Sequence, residues 1–390
     1  MAQTFHRNRF TWLAYLLLAY YGYFLNVLGP ITPFLKSELS LSYTVSSLHF
    51  TAFATGILLV GLGGHQVIER LGRWHSLWTG AIGMSLSALL LIWGKIPVIT
   101  IGASFLMGLI GSLILAIIPA TLAETHGEGR AVAISEANVV ASLVATAAPL
   151  LVGWFSNSAG TWRLALAVVA VAPPLLYLAF GKGSSISDET TNQKLPGNRQ
   201  PLPTLYWIYW LAIVLAVSVE FCMISWSADF LENVLGMMKA SAAQSVSLFF
   251  GAMILGRWAG SRLVQRFDTT RLVAASILTA SLGFGFFWQG GSVLSGLAGL
   301  FLTGLGVASL YPLILSLAIE SAGENTIQAS ARATLASGTA ILALPLVLGR
   351  LADAAGIAAA YGVVVFLLAG VFLIIVFAGR TRSTQPVSVN

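Results

Sequence analysis

Twelve apolar runs, each about as long as a bilayer is thick, constrain this chain more than any single residue does. A transmembrane helix needs roughly 20 mainly apolar residues, because the hydrocarbon core is about 30 Å thick and each residue rises about 1.5 Å. Such runs occupy residues 10–31, 44–66, 75–94, 97–121, 132–155 and 162–181, then 205–227, 243–264, 271–288, 292–318, 330–349 and 357–379. The alternating strands of a membrane barrel are missing from the sequence. Backbone groups in lipid must be satisfied within their own segment, so the runs are read as helices. Composition agrees, since 57% of the residues are hydrophobic and 9% charged, against about 25% charged in a typical soluble domain. The expected fold is an all-α membrane protein of twelve transmembrane helices.

The first run follows Arg7 and Arg9, as a signal peptide would, but it is too long for a signal core and lacks a small-residue cleavage site. It is kept as the first helix. The stretch between runs six and seven is rich in Ser, Asn, Gln, Gly and Pro and cannot bury a core, so it reads as a flexible connector. The expected organisation is a six-helix bundle over 1–181, a cytoplasmic linker over 182–203 and a second six-helix bundle over 204–390. Lys and Arg set the orientation. With both termini inside, the inner segments hold thirteen of them (Arg7, Arg9, Arg70, Arg73, Arg130, Lys182, Lys194, Arg199, Arg262, Arg266, Arg271, Arg380 and Arg382). The outer segments hold five: Lys36, Lys95, Arg163, Lys239 and Arg350. Both termini are therefore expected in the cytoplasm, with the chain multi-pass in the inner (plasma) membrane. The same bias accounts for the pI near 9.6 without nucleic acid. The lone Cys222 lies in an apolar run and excludes an internal disulfide and a cysteine metal cluster.

The two halves repeat. An offset of 196 residues pairs Phe34-Leu35 with Phe230-Leu231, Phe53 with Phe249, Gly64 with Gly260, Arg70 with Arg266 and Gly108 with Gly304. It also pairs Pro149 to Gly153 with Pro345 to Gly349. Single Phe or Leu matches are weak, but Arg, Pro and Gly matches at one constant offset are not chance. Two parallel six-helix repeats about an axis along the membrane normal are the layout of transporters that rock two bundles around a central site.

These features resemble the major facilitator superfamily over essentially the whole chain. That family carries Gly, four residues, then Arg-x-Gly-Arg between helices two and three, with an acid before the first Arg. Here the segment runs from Gly64 through Glu69, Arg70 and Gly72 to Arg73, with Glu in place of the usual Asp and His65 in the register of the Gly. The pseudo-equivalent loop, Gly260 through Arg266 to Asp268, is more degenerate, and Gly349-Arg350 to Asp353 also looks like the family. The resemblance implies a cytoplasmic gate of Glu69, Arg70, Arg73, Arg266 and Asp268, to which the repeat adds Arg332, the partner of Glu136 at the same offset. An acid and several arginines at helix junctions would latch one state and release in the other. Glu220 six residues before Trp226, and Gly256-Arg257 before Gly260, are similar to fucose-permease-like sugar transporters. Drug–proton antiporters usually carry an Arg four residues before a helix-four Gly, where Ser104 precedes Gly108 here. Their helix-five Gly-Pro pattern appears only as Ala148-Pro149.

Ionisable groups inside a bilayer are costly and therefore functional candidates. Of the fourteen acids, Glu136 and Glu220 are placed within runs. Glu220 could load and release a proton as access alternates, and His49 is a rival titrating group. Glu136, opposite Arg332 in the repeat, could serve coupling or a gate. Arg257 is read as part of the Gly-Arg packing motif. A midplane cavity would draw on Tyr20, Tyr21, Asn26, Asn138, Trp226 and Tyr311, since aromatics with a polar edge stack on a ring and also hydrogen-bond. Interfacial belts and packing are the competing use of such residues. No phosphate-binding loop, His-Glu-x-x-His pair or metal cluster occurs, so no enzyme and no cofactor are expected. The leading expectation is a monomeric, proton-linked secondary transporter of a small organic solute. An exporter of amphipathic compounds, and a sensor or lipid-handling protein on the same fold, are the alternatives.

Overall fold

The computed structural model describes residues 6–181, 201–323 and 325–383. Lys182, Lys194 and Arg199, with most of the expected connector, lie outside the described residues. Among the described residues the chain is helical throughout, in twelve successive segments. The first six are α1 (Arg9–Glu38), α2 (Tyr43–Leu71), α3 (Arg73–Trp93), α4 (Pro97–His126), α5 (Arg130–Ser158) and α6 (Arg163–Phe180). The next six are α7 (Thr204–Asn233), α8 (Lys239–Leu263), α9 (Thr269–Gln289), α10 (Val293–Ser321), α11 (Thr326–Ala355) and α12, a short turn at Ile357–Ala360 leading into Val363–Ser383. Ten stretches are long and apolar enough to cross a membrane, and one of them, Pro97–Ser158, holds both α4 and α5. Only α8, diluted by Ser, Gly and Arg, falls below that hydropathy.

Most helices outrun their apolar runs. Both α1 and α7 are 30 residues long, or about 45 Å by helical rise, so they pass through the core and into the interface. The interfacial turns are polar enough to escape a count of apolar residues. Capping fixes several starts: the side chains of Asn8, Ser42 and Asp268 accept from backbone N–H groups of α1, α2 and α9. Prolines place the two breaks. Pro173 and Pro174 lack the donors that the carbonyls of Val169 and Ala170 would receive, and α6 divides at Val171. Pro312 does the same to Ala308, where α10 divides.

The described residues form two compact units. Unit one holds α1 to α6 together with Met238–Ser247, and unit two holds α7, the rest of α8 and α9 to α12. The repeat is visible in what each unit packs. In unit one α1 lies on α5 and α3 on α4; in unit two α7 lies on α11 and α9 on α10. One repeated contact is built from the same residue pair. A Cβ on Gly108 of α4 would stand 2.0 Å from the Phe53 carbonyl oxygen of α2, and a Cβ on Gly304 of α10 would stand 2.6 Å from the Phe249 carbonyl oxygen of α8. Only glycine lets these backbones approach so closely, which is why both positions match at the repeat offset. Met238–Ser247 belongs to unit one through polar as well as apolar contact, with Lys239 Nζ donating to Ser37 Oγ at 2.7 Å.

Candidate functional site

The polar centre of unit two is assembled by four helices. Glu220 stands sixteen residues after Thr204, near the middle of α7. Its Oε1 lies 3.9 Å from an Nη of Arg257 on α8. The Glu220 side chain is 17% exposed and that of Arg257 48% exposed. The arginine is thus half open, while the carboxylate beside it is largely covered by α7 and its neighbours. Tyr311 of α10 lies beside Ser337 of α11 and near Glu220. The centre thus offers an acid, a cation and a hydroxyl pair. At 3.9 Å the ion pair is at the limit of contact, so Arg257 is held loosely.

Sequence reading placed Glu220 here and missed its partner. Gly256-Arg257 looked like a packing motif, and only the fold turns Arg257 toward α7. The acid count also needs correction. Asp229 lay beyond the apolar run ending at 227, but α7 continues to Asn233 and carries Asp229 inside, with no exposed surface. A third carboxyl therefore lies within a span, and it is fully buried where Glu136 and Glu220 are partly open.

The other expected cavity residues have partners within their own unit. Trp226 is fully buried, and its indole N–H donates to the Pro345 carbonyl at 3.2 Å. Tyr20 packs on α3, its hydroxyl 2.7 Å from Ser85 Oγ and 3.2 Å from the Ala81 carbonyl. Tyr21 is buried, 3.5 Å from Ser112 Oγ. Asn26 and Asn138 donate to the carbonyls of Gly22 and Ile134, one turn back on their own helices. Of these six, the structure brings only Tyr311 to the Glu220 centre.

His49 is 2% exposed, with Nδ1 3.0 Å from the Ser46 carbonyl and Nε2 2.9 Å from Thr100 Oγ1. A carbonyl only accepts, so Nδ1 carries a proton and Nε2 meets the hydroxyl. Glu136 is held by the N-terminal segment. Arg7 donates to both of its oxygens, at 2.8 and 2.5 Å, and the Tyr15 hydroxyl donates at 3.0 Å. Its repeat partner Arg332 is met by aromatics instead, with the guanidinium 5.4 Å from the Trp207 ring and the backbone carbonyl accepting from Trp210 at 2.9 Å.

Among the expected gate residues, Arg73 donates bidentately to Glu124 of α4, with one bond at 3.0 Å. Glu69, Arg70 and Arg266 are exposed. Asp268 caps α9, accepting from Thr270 and Arg271 N–H at 3.0 and 3.2 Å. Glu124 was not anticipated, since its partner lies fifty-one residues away.

Twelve helices in two related units, most of them long and apolar enough to cross a bilayer, define an integral membrane protein among the described residues. A family model, the Major Facilitator Superfamily, matches residues 12–327. The chain belongs to that superfamily. A glucose/galactose transporter of Brucella abortus is 27% identical over 377 residues, covering 89% of this chain and 88% of that one. An uncharacterized MFS-type transporter of Yersinia pestis is 27% identical over 168 residues, and that match spans only 43% of the relative's length. Among solved structures, an inward-facing bacterial homologue of the human lysosomal transporter Spinster superposes with a TM-score of 0.79 at 15% identity, covering 97% of this chain and 98% of that one. A D-xylose–proton symporter gives a TM-score of 0.76 at 15% identity, with 95% and 96% covered. At such identities these two structures speak for the fold.

Proposed function

We propose that this secondary transporter couples protons to a small, uncharged polar solute of the hexose type, and that Glu220 is the coupling group. The observation that carries the reading is the Glu220–Arg257 pair, loosely joined and partly open at the centre of α7. With Glu220 ionised, Arg257 is held between α7 and α8. With Glu220 protonated, the cation is released and the local charge changes by one, which gives alternating access something to respond to. Solute class follows from what the centre offers. Arg257 is matched by Glu220, so no unpaired cation waits for an anion, while the Tyr311–Ser337 pair suits a ring with hydroxyls. The glucose/galactose relative, aligned over most of both chains, supports the same class.

The two halves are proposed as functional bundles joined by the connector, with both termini in the cytoplasm of a cell whose plasma membrane holds the protein as a monomer. The test is reconstitution in liposomes containing a pH dye, with a panel of sugars, organic acids and cationic drugs, using wild type and Glu220→Gln. Sugar-dependent proton flux that disappears in the variant supports the proposal. Flux that survives moves coupling to His49 or Glu136. Solute uptake without any proton flux rejects proton coupling and leaves a uniporter or another ion.

A further inference from the structure

The turn from α8 to α9 concentrates positive charge that the transport centre does not use. Arg262, Arg266 and Arg271 are all exposed. Asp268 is the one acid between Trp258 and Arg271, and its carboxylate is engaged by the first N–H groups of α9. Around the arginines the surface is aromatic: Trp258 is 61% and Phe267 53% exposed, and the Arg262 guanidinium lies 5.1 Å from the Trp258 ring. The pseudo-equivalent turn of unit one is balanced instead, with Glu69 beside Arg70 and Glu124 holding Arg73.

One turn beyond Arg271 an apolar groove of about 440 Å³ opens between α9 and α12. It runs along α9 from Ala274 through Leu278 and Gly285 to Trp288, with Leu368 and Phe372 on the α12 side. By helical rise the α9 wall is about 21 Å long, more than half of the roughly 30 Å hydrocarbon core. We infer that the arginine cluster and this groove form one site for an anionic phospholipid, with the headgroup phosphate among the arginines and an acyl chain along α9. Charge selects the headgroup, and guanidinium groups bind phosphate in forked geometry. The apolar walls select hydrocarbon. The two parts are contiguous along the chain, Arg262 closing α8, Arg266 in the turn and Arg271 in the first turn of α9, with the chain subsite beginning at Ala274 one turn further on. A soluble anion would leave the groove empty, and a zwitterionic lipid would leave the arginines without a net negative partner.

The test is native mass spectrometry of the purified full chain, titrated with phosphatidylglycerol or phosphatidylcholine. The expected result is a preference for phosphatidylglycerol of about tenfold or more, given the attraction each surface arginine exerts on an anionic headgroup. Arg262→Gln/Arg266→Gln/Arg271→Gln should abolish that preference, while Arg70→Gln/Arg130→Gln, which also removes exposed charge, should keep it. A Cβ at Gly285 meets nothing within 4 Å, so Gly285→Leu fills the groove without moving the backbone and should weaken retention with the arginines intact. Equal retention of the two lipids by wild type overturns the assignment, as does unchanged retention in the triple-arginine or the Gly285 variant.

Discussion

The two units share a backbone plan and divide the chemistry between them. Both let α2-type and α4-type helices meet through a glycine against a phenylalanine carbonyl, Gly108 on Phe53 and Gly304 on Phe249. In their ionisable groups they part. In unit one a buried imidazole, His49, lies six residues into α2, sealed at 2% exposure with both ring nitrogens occupied. In unit two the group is Glu220, partly open and 3.9 Å from a half-exposed arginine. The α1–α5 and α7–α11 seams differ in kind as well. An acid on α5 is gripped by Arg7 and Tyr15, whereas a cation on α11 rests on Trp207. A repeat therefore preserves what close packing demands and leaves polar positions free to diverge. On the proposed reading unit one is the quieter scaffold, and unit two carries the group that responds to a proton.

The strongest way to break this contrast is to replace the buried imidazole of unit one and the carboxyl of the unit-two pair. Glu220→Gln should reduce solute-driven proton flux to that of empty liposomes, while His49→Gln should leave flux close to wild type. Loss of flux in the His49 variant, with the protein folded, would end the division of labour. Next come the two glycines. Gly108→Ala and Gly304→Ala should each cost about 1–3 kcal/mol through overpacking, Gly108 more because its Cβ would sit at 2.0 Å rather than 2.6 Å. Thermal unfolding in detergent reads the order, and a tolerant Gly304 would show that the shared contact matters in one unit only. His49→Ala should destabilise by about 1–3 kcal/mol, because it opens a gap at a sealed site and removes the link from α2 to Thr100, which keeps only the Pro97 carbonyl. The smallest effects belong to the seams. Glu136→Gln and Arg332→Gln should each lower the unfolding midpoint slightly and leave flux intact, since exposed ion pairs and cation–π contacts are weak. A large flux defect from Glu136→Gln would bring unit one back into coupling.

The identity of the fold was legible in the sequence because its signals are local or periodic. Lipid compels every span to be a helix of a minimum apolar length, so the number and order of helices follow from counting. The constant offset follows because glycine at a backbone crossing has no substitute. Glu220 could be singled out for the same kind of reason, since an acid in an apolar run is costly wherever it points. What the sequence could not decide is direction and reach. Helix ends extend into the interface, where apolar counting stops, and that alone hid Asp229. A side chain's partner is set by helix rotation and crossing, which put Arg257 across from Glu220, Glu124 across from Arg73, and Trp226 into the core against the Pro345 carbonyl rather than onto a cavity wall. Solvent sorts residues between lipid and protein and thereby writes the helices into the chain. Which polar groups meet depends on contacts between segments far apart in sequence, and only the packed structure brings those together.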